Sequence, residues 1–366
     1  MRVALLSPYA LSVFGGVQEQ VLAMSRELSR AGHEVLIVAP DANDPNSYDT
    51  PAHVLRAGLL VKLPANGSRA PLTLSPFAAL AARRGVATFK PDVVHFHEPF
   101  APLLGWSVLR AHEAPSVGTF HRSGDGPATR LTTPLLRSLA RGLDEVAAVS
   151  DAAATTMGAA CGRVPEVLFN GFEMDRFVAT PRVRGAETLL VTLGRFEPRK
   201  GVAHAIAAVR NHNAKGDNQW RLVVLGDGPQ RRALENLAAH DDMIVFAGAP
   251  SDEQKRAWLR RANALIAPAL HGESFGLILL EGMASETTVV ASDIAGYRKA
   301  AGGHARLVPP GDDDALEWGI AAALAQESAP RIDAAREYAR AWSMTTLVDR
   351  YLELYAQAGQ RFAASK

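Results

Sequence analysis

Leu189-Leu190-Val191-Thr192-Leu193-Gly194-Arg195-Phe196-Glu197-Pro198-Arg199-Lys200-Gly201 runs from an apolar stretch through a tight basic loop and into a helical pattern over residues 202–209. Strand, loop and helix in that order are the repeating unit of an α/β fold. The order puts Arg195 and Lys200 at the carboxyl end of a buried strand, where open parallel sheets bind their ligands. Two cations there can neutralise a diphosphate. On an ordinary loop the same residues would be solvated surface charges.

The rhythm extends in both directions from this unit. Towards the carboxyl end, strand patterns are read at 221–225, 244–246, 264–267, 289–291 and 306–308. Towards the amino end they are read at 3–6, 34–38, 93–96, 116–120, 145–149 and 166–168, with helical stretches between them such as 18–31. Alternation of this kind predicts doubly wound parallel sheets. Asn170-Gly171 reads as a turn between the halves, and residues 181–185 are equally linker-like. We therefore expect two domains, 1–171 and 172–344. A last helix near 345–360 carries Leu347, Val348, Tyr351, Leu352, Leu354 and Tyr355, more apolar surface than it can leave in water.

With 366 residues, 48% of them hydrophobic, the chain suffices for two ordinary cores. A single cysteine, Cys161, excludes an internal disulfide and points to a reducing compartment. There is no metal-binding cysteine set, no run of eighteen apolar residues and no signal-like amino terminus, which together suggest a cytoplasmic protein. The net charge is +1, but residues 50–91 hold six cations and no acid, leaving −5 for the rest. This balance, with no basic face interleaved with aromatics, disfavours nucleic acid as a partner.

A second cluster is His271-Gly272-Glu273-Ser274-Phe275-Gly276-Leu277-Ile278-Leu279-Leu280-Glu281. If a helix opens inside it, the two carboxylates stand about 12 Å apart along the axis, near the span of a nucleotide-sugar's diphosphate and its flanking sugars. The N–H groups of Ser274, Phe275 and Gly276 at the helix start would attract phosphate. Alone, Glu-x7-Glu reads equally as two acids on solvated turns.

Together the two clusters resemble the retaining glycosyltransferases of family four, two-domain enzymes of the GT-B fold. That resemblance implies two Rossmann-like domains facing each other across a cleft, with the last helix crossing back to the first. It also implies that Arg195 and Lys200 hold the donor diphosphate, Glu273 the hydroxyls of the transferred sugar, and Glu281 the ribose.

In the amino-terminal half, Ser7-Pro8-Tyr9 leads through Gly15-Gly16-Val17-Gln18 into a helix. The short G-x-G-x-x-G turn of a nicotinamide-binding domain is missing. Gly16 is either a close-approach point for donor phosphate, as the resemblance implies, or a loop residue needing unusual dihedrals. His121 ends the strand 116–120, and the family pattern implies a place beside the transferred sugar; a hydrogen-bonded strand-end histidine is the plainer alternative. His95 and His97 share one strand face, but no third metal ligand is identifiable. Asp312-Asp313-Asp314 reads as a helix cap rather than a metal motif. No metal and no tightly bound cofactor are expected.

Tyr9, Gly15-Gly16-Val17-Gln18, Asn66-Gly67-Ser68, His97-Glu98-Pro99 and Thr119-Phe120-His121 narrow the resemblance to the phosphatidyl-myo-inositol α-mannosyltransferases, over nearly the whole chain. By that resemblance GDP-mannose is the donor. The headgroup of a membrane lipid would meet Tyr9, Gln18, Asn66 and Ser68, and Asp252 and Lys255 would lie near guanine. The chain departs from this group at Pro71, where the family has its headgroup arginine, making Arg69 the nearest basic substitute. Its basic amphipathic helix is reduced to residues 77–84, and the loop at 195–201 is one residue shorter. Cations and apolar residues over 50–91 nonetheless suit an anionic bilayer surface, here the inner face of the cell membrane. Two alternatives stay open: another nucleotide-sugar donor or a soluble acceptor, and a nucleotide-sugar epimerase of the same fold. The oligomeric state is not legible.

Overall fold

The structure, a computed structural model, describes the chain outside residues 13–15, 41–49, 59–60, 66–67, 74, 102, 112, 122–135, 180, 182, 184, 217, 240 and 274. It divides into two compact units, Met1–Gly171 with Met344–Lys366, and Phe172–Ser343.

The first unit contains β1 (Arg2–Leu6), β2 (Glu34–Ala39), β3 (His53–Arg56), β4 (Val61–Ala65), β5 (Ser68–Leu72), β6 (Val93–His97), β7 (Ser116–Phe120), β8 (Glu145–Ala148) and β9 (Glu166–Val167). Seven of these form a parallel sheet in the order β3-β2-β1-β6-β7-β8-β9, and β4 and β5 pair separately as an antiparallel hairpin. Side-chain alternation sorts the strands onto two faces. Ala4, Leu6, Leu36 and Val38 pack with the helix Pro76–Phe89. Val3, Leu5, Val35 and Ile37 pack with the helix Gly16–Arg30 and the last helix, Met344–Ser365. That last helix brings Met344, Leu347, Val348, Tyr351, Leu354, Tyr355 and Ala358 into this core. Its larger apolar side chains each contribute about 1.5–3 kcal/mol by leaving water.

The second unit contains β10 (Thr188–Leu193), β11 (Trp220–Leu225), β12 (Ile244–Gly248), β13 (Ala264–Ala267), β14 (Thr288–Ser292) and β15 (Arg306–Val308), a parallel sheet ordered β12-β11-β10-β13-β14-β15. In both units the strand order reverses beside the first strand in sequence, between β1 and β6 and between β10 and β13. At such a switch point the loops leaving the two adjacent strands diverge to opposite faces and open a crevice at their carboxyl ends. The expected doubly wound parallel sheets are therefore present. The β4–β5 hairpin and the edge strand β3 were not expected. Asp312 caps the helix Asp313–Ala325 by accepting from the Ala315 N–H at 2.9 Å, as its position after Pro309-Pro310-Gly311 suggested.

Candidate functional site

The loops leaving β10 and β13 flank the switch point of the second unit, and they are bound to each other. The Leu270 N–H donates to the Arg199 carbonyl at 2.8 Å. Gly201, at φ +67°, lies so close to the other loop that an added Cβ would fall 1.9 Å from the Pro268 oxygen. This contact carries Lys200 to Glu273: Lys200 Nζ lies 2.7 Å from Glu273 Oε1, although the two are 73 positions apart in sequence. Arg199 Nη1 meets the same oxygen at 2.9 Å and the Gly272 carbonyl at 3.3 Å. Glu197 bridges Arg199 at 3.0 Å and Arg195 at 3.1 Å.

Three cations thus face two carboxylates, leaving one positive charge uncompensated, as suits a polyanion. Glu273 is the more enclosed end of the cluster, with 14% of its side chain exposed, and Arg195 the more open, at 70%. Behind Glu273, burial and then the nearby Glu273 charge raise the Tyr297 phenol above its ordinary pKa.

The structure corrects the reading of the Glu273–Glu281 segment as eight residues of helix. The helix is Leu277–Ala284, entered through Gly276 at φ +93°. A left-handed residue there interrupts helical geometry, so Glu273 stands in the loop before the helix and the distance between the carboxylates is not a helical rise. A Cβ at Gly276 would also meet Tyr297 Cδ1 at 2.5 Å. Phe275 is buried against Trp342, with ring centroids 4.8 Å apart, which anchors the chain as it enters the helix. Within the first turn the Leu279 N–H donates to the Gly276 carbonyl at 2.9 Å. Ser274 lies outside the described residues.

One turn further on, Glu281 Oε1 pairs with Lys255 Nζ at 2.9 Å. Lys255 also sits over the Phe177 ring, 5.6 Å from its centroid, and 3.7 Å from Asp252. Asp252 opens the helix Asp252–Arg261 beneath a Ser251–Gln254 capping box and is itself exposed. The second unit therefore brings two sets of the expected residues together, Lys200 with Glu273 and Lys255 with Glu281.

Sequence reasoning missed Arg199 as the second cation on Glu273, and Glu197 as its link to Arg195. It also missed the turn Gly226-Asp227-Gly228, which supports the β10 loop. Phe196 N–H donates to the Asp227 carbonyl at 2.9 Å, and Gln230 N–H to the Phe196 carbonyl at 3.1 Å. Two glycines spaced by one residue after an apolar strand were the available signal.

In the first unit, Gly16 opens its helix exposed, with nothing within 4 Å of the place a Cβ would take. Tyr9 is half-buried, and its N–H and carbonyl are held by the Ser7 hydroxyl at 3.3 and 2.8 Å. Gln18 is buried and donates to the Ala10 carbonyl at 3.3 Å, bracing the loop that bears Tyr9. Ser68 and Arg69 begin β5, paired with Ala65 and Pro64, and only their backbone is described. Asn66 lies outside the described residues.

His121 follows β7, half-buried. Its N–H donates to Glu98 Oε1 at 2.7 Å, and its Nε2 lies 3.0 Å from His97 Nδ1. Glu98 is buried and holds a strained φ of +49°. His95 contacts Tyr355 and Thr119, both at 2.8 Å, so both of its ring nitrogens are engaged within the core and neither is left for a metal. Burial, then the neighbouring His121, holds the His95 pKa down to about 3; burial alone holds His121 down to about 4. His97 lies well below the ordinary value for the same reason, reinforced by His95 and His121. Among the described residues no group of three metal-ligating side chains occurs, and no helix is long and apolar enough to cross a membrane.

Residues 14–176 match the family model described as Glycosyltransferase Family 4, and residues 175–342 the model described as Glycosyl transferases group 1. The chain is 37% identical over 337 residues to the phosphatidyl-myo-inositol mannosyltransferase of Mycolicibacterium smegmatis, covering 88% of this chain and 84% of that one. To the protein of the same name from Mycobacterium leprae it is 32% identical, covering 97% and 96%. Among solved structures, a glycosyltransferase from Rickettsia africae superposes with a TM-score of 0.74 over 98% of both chains at 17% identity, a likeness of fold alone.

Proposed function

Since the chain belongs to the family-four glycosyltransferases, we propose that it transfers mannose from GDP-mannose, with retention of configuration, to the inositol of phosphatidyl-myo-inositol. The observation that carries this reading is the pairing of Lys200 and Arg199 with Glu273 at the switch point of the second sheet, in a chain similar end to end to enzymes of that name. Lys200 and Arg195 receive the diphosphate, aided by the N–H groups of Ser274, Phe275 and Gly276, and the family resemblance assigns Gly16 of the first unit to the donor phosphates. Fixed donors at a leaving group act where charge develops, without a metal. Glu273 takes the sugar hydroxyls, and His121 lies beside the sugar. Glu281 takes the ribose, while Lys255 and Asp252 border guanine. The sequence offers no obvious carboxylate nucleophile, so the leaving phosphate itself accepts the proton of the attacking hydroxyl on the face it departs from.

Tyr9, Gln18, Asn66, Ser68 and Arg69 form the acceptor set. The helix Pro76–Phe89 supports a lipid acceptor, because Phe77 and Leu80 are exposed on it together with Arg83 and Arg84. A cavity of about 760 Å³ beside it is lined by Leu80, Val108, Arg83, Arg84 and Lys90, with one acid, Glu113. Apolar side chains among cations suit an anionic lipid at the membrane surface, each cation contributing about 1 kcal/mol close to it. A second reading, a soluble inositol phosphate as acceptor, is favoured by the reduction of the basic amphipathic helix to residues 77–84.

The test has two stages. Thermal shifts with GDP-, UDP- and ADP-sugars should single out GDP-mannose, and transfer should then follow with phosphatidylinositol vesicles. Stabilisation by a UDP- or ADP-sugar instead would reject the donor. Transfer to free inositol phosphate but not to vesicles would reject the lipid, and isomerised donor in the absence of any acceptor would make the protein an epimerase.

A further inference from the structure

His97 is buried to 2% exposure and stacked between His95 and His121, with ring centroids 4.4 and 5.3 Å away. Its Nδ1 meets His121 Nε2 at 3.0 Å, but its own Nε2 is buried without a hydrogen-bond partner among the described residues. Burial keeps both rings neutral, so each carries one proton, and the 3.0 Å contact needs one donor and one acceptor.

Two assignments satisfy that contact. If His121 Nε2–H donates, His97 must carry its own proton on Nε2, stranding an N–H where nothing accepts it. If His97 Nδ1–H donates, the stranded Nε2 is only a lone pair. Orphaned buried donors are the rarer and costlier of the two. The second assignment leaves the proton of His121 on Nδ1, an atom with no partner among the described residues.

We propose that His97 is a positioning residue that fixes His121 as the Nδ1–H tautomer, making it a neutral hydrogen-bond donor to an oxygen of the substrate and not a base. Glu98 completes the device by holding the His121 main chain at 2.7 Å. The group His121 recognises is therefore an oxygen with a free lone pair, such as a sugar hydroxyl or ring oxygen. This role rests on the reading of His121 as a residue beside the transferred sugar; the tautomer itself does not.

Long-range proton–nitrogen correlation spectra of the full chain labelled with 15N-histidine read the tautomer directly, with His121→Gln identifying the signals. At pH 7.5, His121 should be protonated on Nδ1, the minor form of free histidine. In His97→Phe, which keeps the ring but removes the donor, it should revert mainly to Nε2–H. His97→Asn, whose amide N–H takes the place of Nδ1–H, should preserve the wild-type form. With mannosyl transfer as the second readout, kcat should fall about tenfold in His97→Phe with KM changed less than threefold, and return to within threefold of wild type in His97→Asn.

A wild-type His121 protonated on Nε2 overturns the proposal whether or not any variant folds. So does an unchanged tautomer in a folded His97→Phe, or a His97→Asn that keeps the tautomer yet stays as slow as His97→Phe. An Nδ1–H His121 in a protein that transfers no sugar supports the tautomer while overturning the functional reading.

Discussion

Glu273 of the second unit lies between two cations, Arg199 and Lys200, whereas His97 of the first lies between two neutral rings, His95 and His121. His97 ends β6 and Glu273 lies in the loop after β13, each strand at a switch point, so the carboxyl ends of corresponding strands are furnished by opposite chemistry. Charges that compensate one another can remain partly exposed and wait for a charged ligand. Neutral rings can be buried outright, because no ion has to be desolvated, but burial makes their protonation costly. On the proposed reading the second unit meets an anion, and the first presents an uncharged donor of fixed geometry.

The largest effect expected along this contrast is on turnover. Lys200→Ala and Glu273→Ala should each reduce mannosyl transfer about 10²- to 10³-fold, the scale for removing one fixed group that stabilises developing charge. Circular dichroism should remain that of the native fold, and near-normal initial rates would withdraw both residues from the site. Arg199→Ala separates a site residue from a mere companion of Glu273: a loss near tenfold supports the former, no loss the latter.

Acid should next distinguish the units. The folded-state values of His95, about 3, and His121, about 4, lie below the ordinary 6.5, so between these limits the unfolded chain binds protons that the native one refuses. Stability is therefore fully present above about pH 6.5 and lost progressively as pH falls towards 4. Hydrogen exchange between pH 7 and 4.5 should show β6 and β7 losing protection before β10 and β13. Loss in the reverse order would contradict the contrast.

Two smaller effects test the second unit's frame. Gly201→Ala places a Cβ against the Pro268 oxygen and forces a left-handed alanine, so a cost of about 1–3 kcal/mol in denaturant unfolding is expected. Unchanged stability would mean that the β10 and β13 loops are not wedged together. Asp312→Ala removes a cap remote from Glu273 in sequence and should cost about 1 kcal/mol without altering transfer. A rate change there would show that the frame and the charge cluster are coupled.

Most of the parallel strands were legible because each is an apolar run long enough to be buried on both faces. Residues 116–120, 264–267 and 306–308 were read with the observed bounds. The β4–β5 hairpin escaped because Pro64 and Pro71 remove ladder donors and argue against strands, and β3 because its four residues are only half-buried or exposed. The helix near Glu273 was started too early, since a glycine within an apolar approach gives no sign in sequence that its φ is positive. Arg195, Arg199 and Lys200 were equivalent as loop cations. Only the adjacency of β10 and β13 shows which of them reach Glu273, and no local pattern encodes the meeting of His97 with His121.

The return of Met344–Ser365 to the first unit has a consequence for biosynthesis. Tyr355 holds His95 and Tyr351 holds Thr119, yet both tyrosines leave the ribosome only after the whole second unit has been made. At ordinary elongation rates the interval is on the order of ten to thirty seconds. Through it one apolar face of the nascent first sheet is covered only in part, by the helix Gly16–Arg30, so the part of the protein translated first is completed last.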